Sequence, residues 1–243
     1  MGTAALYLIP AWIAEDRPPA DVLSASVLAR IRTLRDFVVE DAKSARRFLA
    51  ACGHPGPMAQ LSMQVLDEHT KPDEVDALLA PARAGRDLGL LSEAGAPAVA
   101  DPGARLVACA HDAGVRVVPL VGPSSILLAL MASGLEGQRF RFAGYLPATP
   151  ADRVTAIRAL ESRSAASDET QVFIETPYRN EALLADLVKT CGDTTRLCVA
   201  ADLTGDGEAV RSASIAQWKR RPSAIGKRPA IFLLLAAKGP KPR

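Results

Sequence analysis

Short apolar runs and amphipathic stretches alternate along the first half of the chain. The apolar runs are typical of buried strands, whereas the amphipathic stretches repeat their apolar residues every three or four positions, as a helix requires. Strands are predicted at residues 4–9, 36–39, 88–91 and 115–120. Helices are predicted at residues 22–35, 44–52 with Ser44 as the cap, 72–82, 105–112 and 124–133. This alternation favours a mostly parallel sheet with helices on both faces.

The pattern starts again after residue 147, which indicates a second domain. A strand is predicted at residues 140–143, before this point, and strands at 171–174, 196–200 and 230–236 follow it. Helices are predicted at residues 151–161, 180–190 and 215–220, and a polar stretch at 162–169 follows the first of them. We therefore expect an α/β protein with an N-terminal domain at residues 1–144 and a C-terminal α/β domain with a basic tail at residues 145–243.

Composition is that of an ordinary globular protein, since 49% of the 243 residues are hydrophobic and 23% are charged. The cysteines form no C-x-x-C pair and the histidines are scattered, so we expect reduced thiols and no metal site. The chain begins without the basic segment of a secretion signal, and no apolar run approaches the roughly 18 residues of a membrane helix. These features predict a cytoplasmic protein with no membrane association.

Charge is distributed unevenly along the chain. Residues 205–243 carry nine lysines and arginines against two acids, a formal charge of +7, whereas the whole chain carries only +2. A basic segment of this kind can follow a phosphate backbone, and it can equally be a solvated face. Charge alone leaves both interpretations open.

Small residues follow several of the predicted strands. These loops begin at Pro10, Ser92, Val121 and Thr176. Ligands of open α/β sheets bind beyond the carboxyl ends of strands, and small side chains let a ligand contact the backbone. The glycine-rich dinucleotide motif, the P-loop and the G-x-S-x-G motif of serine hydrolases are all missing. Each loop by itself is also explained as a tight turn with a helix cap.

The central block "LLSEAGAPAVADPGARLVACAHDAGVRVVPLVGPSSILLALMASGL", residues 90–135, resembles the tetrapyrrole methylase superfamily. It is most similar to the bacterial branch of small-subunit rRNA ribose 2′-O-methyltransferases. Further matching segments follow the family order and cover nearly the whole chain: "LYLIP" (6–10), "VEDAKSARRFL" (39–49), "FAGYLP" (142–147), "FIETPYRN" (173–180) and "RPAIFLLL" (228–235). The resemblance implies two α/β domains, a mostly parallel first sheet and a smaller mixed second sheet.

The resemblance also implies a cofactor and its binding residues. S-adenosyl-L-methionine is expected as methyl donor, with S-adenosylhomocysteine as product, no metal, and usually a homodimer as the assembly. Transfer of a methyl group from a sulfonium depends on positioning and on exclusion of water, which small-walled loops favour. The family pattern assigns cofactor binding to Pro10, Ser92, Glu93, Ala94, Gly95, Ala96, Val99, Ser124, Ser125, Glu175, Thr176, Asp202, Leu203, Pro229 and Ala230.

The chain departs from the branch pattern at several positions. Ala14 stands where the branch has a glycine, and Lys43 stands where it has an arginine. The branch motif A-R-E-x-T-K is replaced by residues 200–205, with Gly205 in place of the lysine. Lys43 keeps the charge on a shorter base, whereas the change at 200–205 removes both an arginine and a lysine. Fewer basic groups there weigh against an rRNA substrate.

Three hypotheses of function therefore stand. The first is a methyltransferase acting on RNA ribose, the second a methyltransferase acting on a tetrapyrrole or another small molecule, and the third a cofactor-binding protein without catalysis. Glu40, Lys43 and Arg179 are the candidates for a catalytic role, because each follows a predicted strand end. For each of them a capping or ion-pair role is the competing interpretation.

Overall fold

The computed structural model describes residues 4–237, so Lys238, Lys241 and Arg243 of the basic segment lie outside the described residues. The chain divides into two compact units between Ser124 and Ser125. This division comes 20 residues before the domain boundary expected after residue 144. The difference arises because the helix that begins at Ser125 packs on strands of the second unit, and the strand that follows it belongs to the second sheet.

The first unit contains a five-stranded parallel sheet. Its strands are β1 Ala5–Ile9, β2 Asp36–Val39, β3 Ser62–Val65, β4 Leu88–Leu91 and β5 Arg116–Pro119, in the order β3-β2-β4-β1-β5. Its helices are α1 Ala25–Thr33, α2 Ala42–Ala51, α3 Pro72–Val75, α4 Ala80–Arg83 and α5 Gly103–Asp112. One apolar cluster surrounds Phe37 and Phe48, and another surrounds Leu79 and Leu106. Helices therefore cover both faces of the sheet, as predicted.

Local chemistry explains where the sequence pattern and the first unit differ. Ser44 is not the cap of α2, because the Asp41 carboxylate accepts the Ser44 N–H at 2.7 Å and so caps the helix. The single helix predicted at 72–82 is broken into α3, a 3₁₀ turn at Asp76–Leu79 and α4. Pro81 accounts for this break, since it lacks the N–H that an uninterrupted helix needs. The edge strand β3 is partly exposed and gave no apolar run.

The second unit contains a mixed five-stranded sheet, which confirms the fold class. Its strands are β6 Phe140–Tyr145, β7 Thr170–Glu175, β8 Arg196–Ala201, β9 Ala209–Ser214 and β10 Ala230–Leu235, in the order β6-β7-β10-β8-β9. Only the β6–β7 pair among these is parallel. Its helices are α6 Ser125–Ser133, α7 Pro150–Ser167, α8 Asn180–Thr190 and α9 Ile215–Arg220. Apolar clusters fill both faces of this sheet too.

The polar stretch at 162–169 is largely the last part of α7 rather than a loop. The buried Ser164 hydroxyl donates to the Glu169 carbonyl and accepts the Ala236 N–H at 2.9 Å. This tertiary pairing satisfies polar groups that sequence alone places in solvent. The left-handed Asp168 then ends the helix.

The cysteines are free thiols, and three of them are buried. Burial raises the pKa of Cys52 and of Cys191 to about 12, and that of Cys198 to about 11. These thiols therefore stay protonated at neutral pH, and they are hydrophobic core residues.

Candidate functional site

In the first unit, loops after β1, β4 and β5 lie together at the carboxyl edge of the parallel sheet. The Ala11 N–H donates to the Gly95 carbonyl at 2.8 Å, which joins the loop after β1 to the loop after β4. Gly122, after β5, lies against Pro10, and a Cβ atom at Gly122 would come within 2.2 Å of the proline Cγ. We call residues 10–12, 92–99 and 121–124 the first-unit loop cluster. Small residues are needed at Gly95 and Gly122 because the neighbouring loop approaches each of them closely.

The loop after β4 holds an unusual backbone conformation. Gly95, Ala98 and Ala100 all have positive φ angles, of 68°, 66° and 64°. Left-handed conformations cost non-glycine residues roughly 1–2 kcal/mol each, so the surroundings must stabilise this loop. The Asp101 carboxylate does so, because it accepts the N–H groups of Ala98 at 2.9 Å and Gly103 at 2.7 Å. Burial raises the pKa of Asp101, and these N–H donors oppose the shift.

Glu40 lies next to this loop, directly after β2. Its carboxylate accepts the Glu93 N–H at 3.2 Å, and its own N–H donates to the Leu91 carbonyl at 3.3 Å. Burial raises the pKa of Glu40, and the neighbouring carboxylates of Glu93, Asp101 and Asp67 raise it further, while the Glu93 N–H acts in the opposite direction. Glu40 therefore has a greater proton affinity than an exposed glutamate, which suits a proton acceptor. Lys43 is exposed in the first turn of α2.

In the second unit, the predicted site residues gather at one edge of the mixed sheet. Ala230, the first residue of β10, lies opposite the last residues of β7 and β8, Glu175 and Ala201. The Asp202 N–H donates to the Pro229 carbonyl at 2.9 Å. We call Glu175, Thr176, Asp202, Leu203, Pro229 and Ala230, together with Asn180 described below, the second-unit edge cluster. The Leu203 side chain is buried in an apolar cluster, so a ligand would contact its backbone.

Glu175 carries an ionised carboxylate whose two oxygens differ. Oε1 accepts the Thr176 N–H at 2.6 Å and the Arg179 guanidinium at 2.6 and 2.8 Å. Burial by itself would raise the pKa of Glu175, but these donors, above all Arg179, hold it below its usual value. Oε2 is buried and has no hydrogen-bond partner among the described residues. A buried charged oxygen without a donor is costly, so Oε2 is available for a ligand that donates one.

Asn180 has a similar unpaired oxygen. Its side-chain N–H donates to the Arg228 carbonyl at 2.7 Å, while the buried Oδ1 accepts no hydrogen bond from any residue between 4 and 237. Asn180 follows Arg179 at the start of α8, close in sequence to Glu175. The second-unit edge cluster thus contains two buried acceptors that lack donors.

Comparison with known families now identifies the family to which this fold belongs. The sequence pattern of the Tetrapyrrole (Corrin/Porphyrin) Methylases matches residues 20–218. The chain belongs to this family. The match includes four of the five strands of each sheet and leaves out β1 and β10.

Individual relatives of the chain lie in the same family. A "Ribosomal RNA small subunit methyltransferase I" from Escherichia coli O157:H7 is 36% identical over 152 residues, which are 63% of this chain and 52% of the relative. A protein of the same name from Pseudomonas aeruginosa is 32% identical over 197 residues, which are 81% of this chain and 67% of the relative. The chain therefore spans about half to two thirds of the length of these curated relatives.

Solved structures of tetrapyrrole methylases share the fold. The crystal structure of the methyltransferase CobJ superposes with a TM-score of 0.60 at 20% identity and covers 96% of this chain and 95% of its own. At that identity the likeness establishes the architecture alone.

The structure divides the predicted residues of this family member between the two units. The first unit holds Pro10, Ser92, Glu93, Ala94, Gly95, Ala96, Val99 and Ser124, and the second holds Ser125, Glu175, Thr176, Asp202, Leu203, Pro229 and Ala230. Within each unit the structure brings most of them to one sheet edge. Sequence reasoning missed the unpaired Asn180 oxygen and the role of Asp101 in holding its loop, because both depend on tertiary neighbours.

The remaining candidates differ in what their side chains do. The Arg179 guanidinium bonds to Glu175, which raises the pKa of Arg179 and makes it a positioning group. Within residues 4–237, no group of three or more histidine, cysteine, aspartate or glutamate side chains is arranged to hold a metal ion. No helix in that same range is long and apolar enough to cross a membrane.

Proposed function

We propose that this member of the tetrapyrrole methylase family is an S-adenosyl-L-methionine-dependent methyltransferase that methylates a ribose 2′-hydroxyl of small-subunit ribosomal RNA. The rRNA methyltransferases among its relatives, at 36% and 32% identity, support the substrate class. The observation that carries the proposal is the pair of buried, unpaired acceptors in the second-unit edge cluster, Glu175 Oε2 and Asn180 Oδ1. Both lie among residues that the family pattern assigns to the cofactor.

The residues fit the donors of this cofactor. S-adenosyl-L-methionine carries an α-ammonium, an adenine amine and a cationic sulfonium, and an ionised carboxylate favours each of them. Glu175 stays ionised because Arg179 and the Thr176 N–H bond to its other oxygen. In the first-unit loop cluster, Gly122 lies so close to Pro10 that a side chain at residue 122 would collide with the proline ring.

Methyl transfer from a sulfonium to a hydroxyl needs few chemical groups from the protein beyond those that position the reactants. The bound cofactor supplies an electrophilic methyl group. The chain's own task is to orient a hydroxyl, exclude water and accept one proton. We assign the proton to Glu40, because burial and neighbouring carboxylates raise its pKa. Asp101 holds the loop beside Glu40 in place through its bonds to Ala98 and Gly103.

We further propose that the protein acts as a homodimer in the cytoplasm, where ribosomal RNA is modified. The support is the apolar helix α6, on which Leu127 is 51% and Met131 is 79% exposed. These residues are four positions apart and share one helix face, and large exposed apolar patches mark interaction surfaces.

Transfer of labelled methyl groups tests this function. Purified protein is incubated with labelled cofactor and, separately, with RNA from a strain that lacks the protein and with a mixture of tetrapyrroles. The proposal expects label in small-subunit rRNA and a calorimetric signal for cofactor binding. Label in tetrapyrroles alone would establish the second hypothesis instead. Cofactor binding without transfer to either would establish the third.

A further inference from the structure

A concave surface lies on the second unit along the edge strand β9. It encloses about 670 Å³ and is lined by Arg211, Ser212, Ala213, Gln217, Arg220, Arg221 and Pro222. We call these residues the arginine cleft. Ser212 lies opposite Cys198, in the middle of β8, so the cleft is not part of the second-unit edge cluster, which begins at the end of that strand. Its volume is within the range of small-molecule and nucleotide pockets, roughly 300–1,000 Å³.

The charge of the cleft is entirely of one sign. Its lining includes three arginines and no acid. Arg220 and Arg221 are exposed, and no acid in the part of the chain that the structure describes forms an ion pair with them. The next residue in α9, Lys219, is different, because its ammonium pairs with Asp193 at 2.6 Å. The two arginines therefore keep their donors available for an anion.

Arg211 is the fixed member of the cleft. Its Cζ atom lies over the Trp218 ring, 3.8 Å from the ring centre, and its guanidinium donates to the carbonyls of Gln217 and Arg221. Trp218 is itself buried and anchored, because its indole N–H donates to the Leu197 carbonyl at 3.0 Å. A guanidinium held by an aromatic ring and two carbonyls is oriented before a ligand arrives, so less entropy is lost on binding.

We propose that the arginine cleft binds the phosphodiester backbone of the RNA substrate, away from the methylated nucleotide. Guanidinium forks match phosphate oxygens, and the cleft presents three of them together. The inference rests on the proposed function, since it takes RNA as the methyl acceptor. Contacts of this kind carry no sequence information, but they fix the register of the RNA and make binding salt-dependent.

The structure also shows which residues of the basic segment at 205–243 line the cleft. Lys227 lies over the Tyr178 ring at 5.3 Å, and Arg228 donates to the carbonyls of Ile225 and Gly207. Neither residue lines the arginine cleft. Arg211, from the same basic segment, does line the cleft, although the strand β9 that carries it was not predicted.

The test compares two double variants that remove the same charge. Arg220→Ala/Arg221→Ala removes two of the three arginines of the cleft, whereas Arg46→Ala/Arg158→Ala removes two exposed arginines elsewhere. Affinity for fluorescein-labelled small-subunit rRNA is measured across a series of salt concentrations, and cofactor affinity is measured by calorimetry. We expect the cleft variant to bind RNA at least about tenfold more weakly at physiological salt, with a salt slope flatter by about two counterions. The control variant should match the parent, and all three should bind cofactor equally.

Other outcomes separate the cleft from the proposed function. If the cleft variant binds and methylates RNA like the parent, the cleft proposal is overturned while the methyltransferase stands. If the parent transfers no methyl group yet binds RNA through the cleft, the function fails and the cleft stands. If only pyrophosphate binding depends on the two arginines, the cleft takes a free anion and the RNA proposal is overturned. Arg220→Lys/Arg221→Lys should keep the salt slope but bind RNA more weakly, because the forks are lost.

Discussion

At the scale of single residues, Glu175 and its surroundings show most clearly what the sequence does and does not predict. The resemblance places Glu175 in the site, and the structure puts it opposite Ala230 at the sheet edge. Its two oxygens differ because Thr176 and Arg179 donate hydrogen bonds to Oε1, whereas no described residue donates one to Oε2. No sequence pattern encodes that difference, because it depends on which groups the folded chain brings near the carboxylate.

Replacement of Glu175 by glutamine should lower stability in a pH-dependent way. The pKa of Glu175 is lowered in the folded protein, so its charge stabilises the fold above the unfolded value of about 4.3 and loses that effect as pH falls through the folded pKa. We expect Glu175→Gln to cost roughly 2 kcal/mol at pH 7, with the difference from the parent shrinking toward pH 3. Urea unfolding at both pH values measures it.

The control for this prediction is Glu15→Gln, which removes the exposed carboxylate that pairs with Arg47. Surface ion pairs contribute little, so this variant should unfold like the parent at both pH values. A constant difference between Glu175→Gln and the parent from pH 7 to pH 3 would contradict the assigned ionisation.

A second prediction at this scale concerns Ala96, in the first-unit loop cluster. We expect Ala96→Phe to abolish cofactor binding without unfolding the protein, because a benzyl group fills the space that backbone contacts require. Calorimetry measures the binding and circular dichroism the fold. The control, Ala182→Phe, places the same ring at an exposed position of α8 and should bind cofactor normally. Unchanged affinity in a folded Ala96→Phe variant would remove this loop from the site.

At the scale of elements, burial decides what the sequence can predict. Strands β1, β4 and β10 are buried apolar runs, and α8 keeps Leu183, Leu184 and Leu187 inward, so the pattern located all four. The edge strands β3 and β9 are partly exposed and carry no such run. They were missed for that reason, whereas the edge strands β5 and β6 were located because residues 117–118 and 140–143 are mostly apolar.

Helix α6 gives the prediction at this scale. Leu127 and Met131 present an exposed apolar face, which we assign to the homodimer interface. Leu127→Lys/Met131→Lys should therefore convert a dimer into a monomer near 25.6 kDa, as measured by light scattering. Charges buried in an interface without partners disfavour association strongly. The matched control, Thr155→Lys/Ala159→Lys, alters exposed positions four apart on α7 and should leave the dimer intact. A parent that is already monomeric at micromolar concentration would refute the assembly.

At the scale of the whole molecule, the order of the matching segments along the chain predicted the family better than any single motif did. The matched segments begin at Leu6 and end at Leu235, and the family pattern independently covers residues 20–218. Membership of the family could therefore be predicted, together with the two α/β sheets. The boundary between the compact units could not be located from the pattern, because α6 reads as one more helix of the first sheet until its contacts with β8 and β10 are known.

The central claim is methyl transfer to a ribose 2′-hydroxyl, and the chemical position of the transferred group tests it most directly. Small-subunit rRNA from a strain lacking the protein is incubated with the protein and labelled cofactor, and the RNA is then hydrolysed in alkali. Strand cleavage by alkali needs a free 2′-hydroxyl, so a 2′-O-methylated nucleotide survives as an uncleaved dinucleotide. The account predicts label in alkali-resistant dinucleotides. Label recovered only in mononucleotides, as base methylation gives, or no label in RNA, would contradict it.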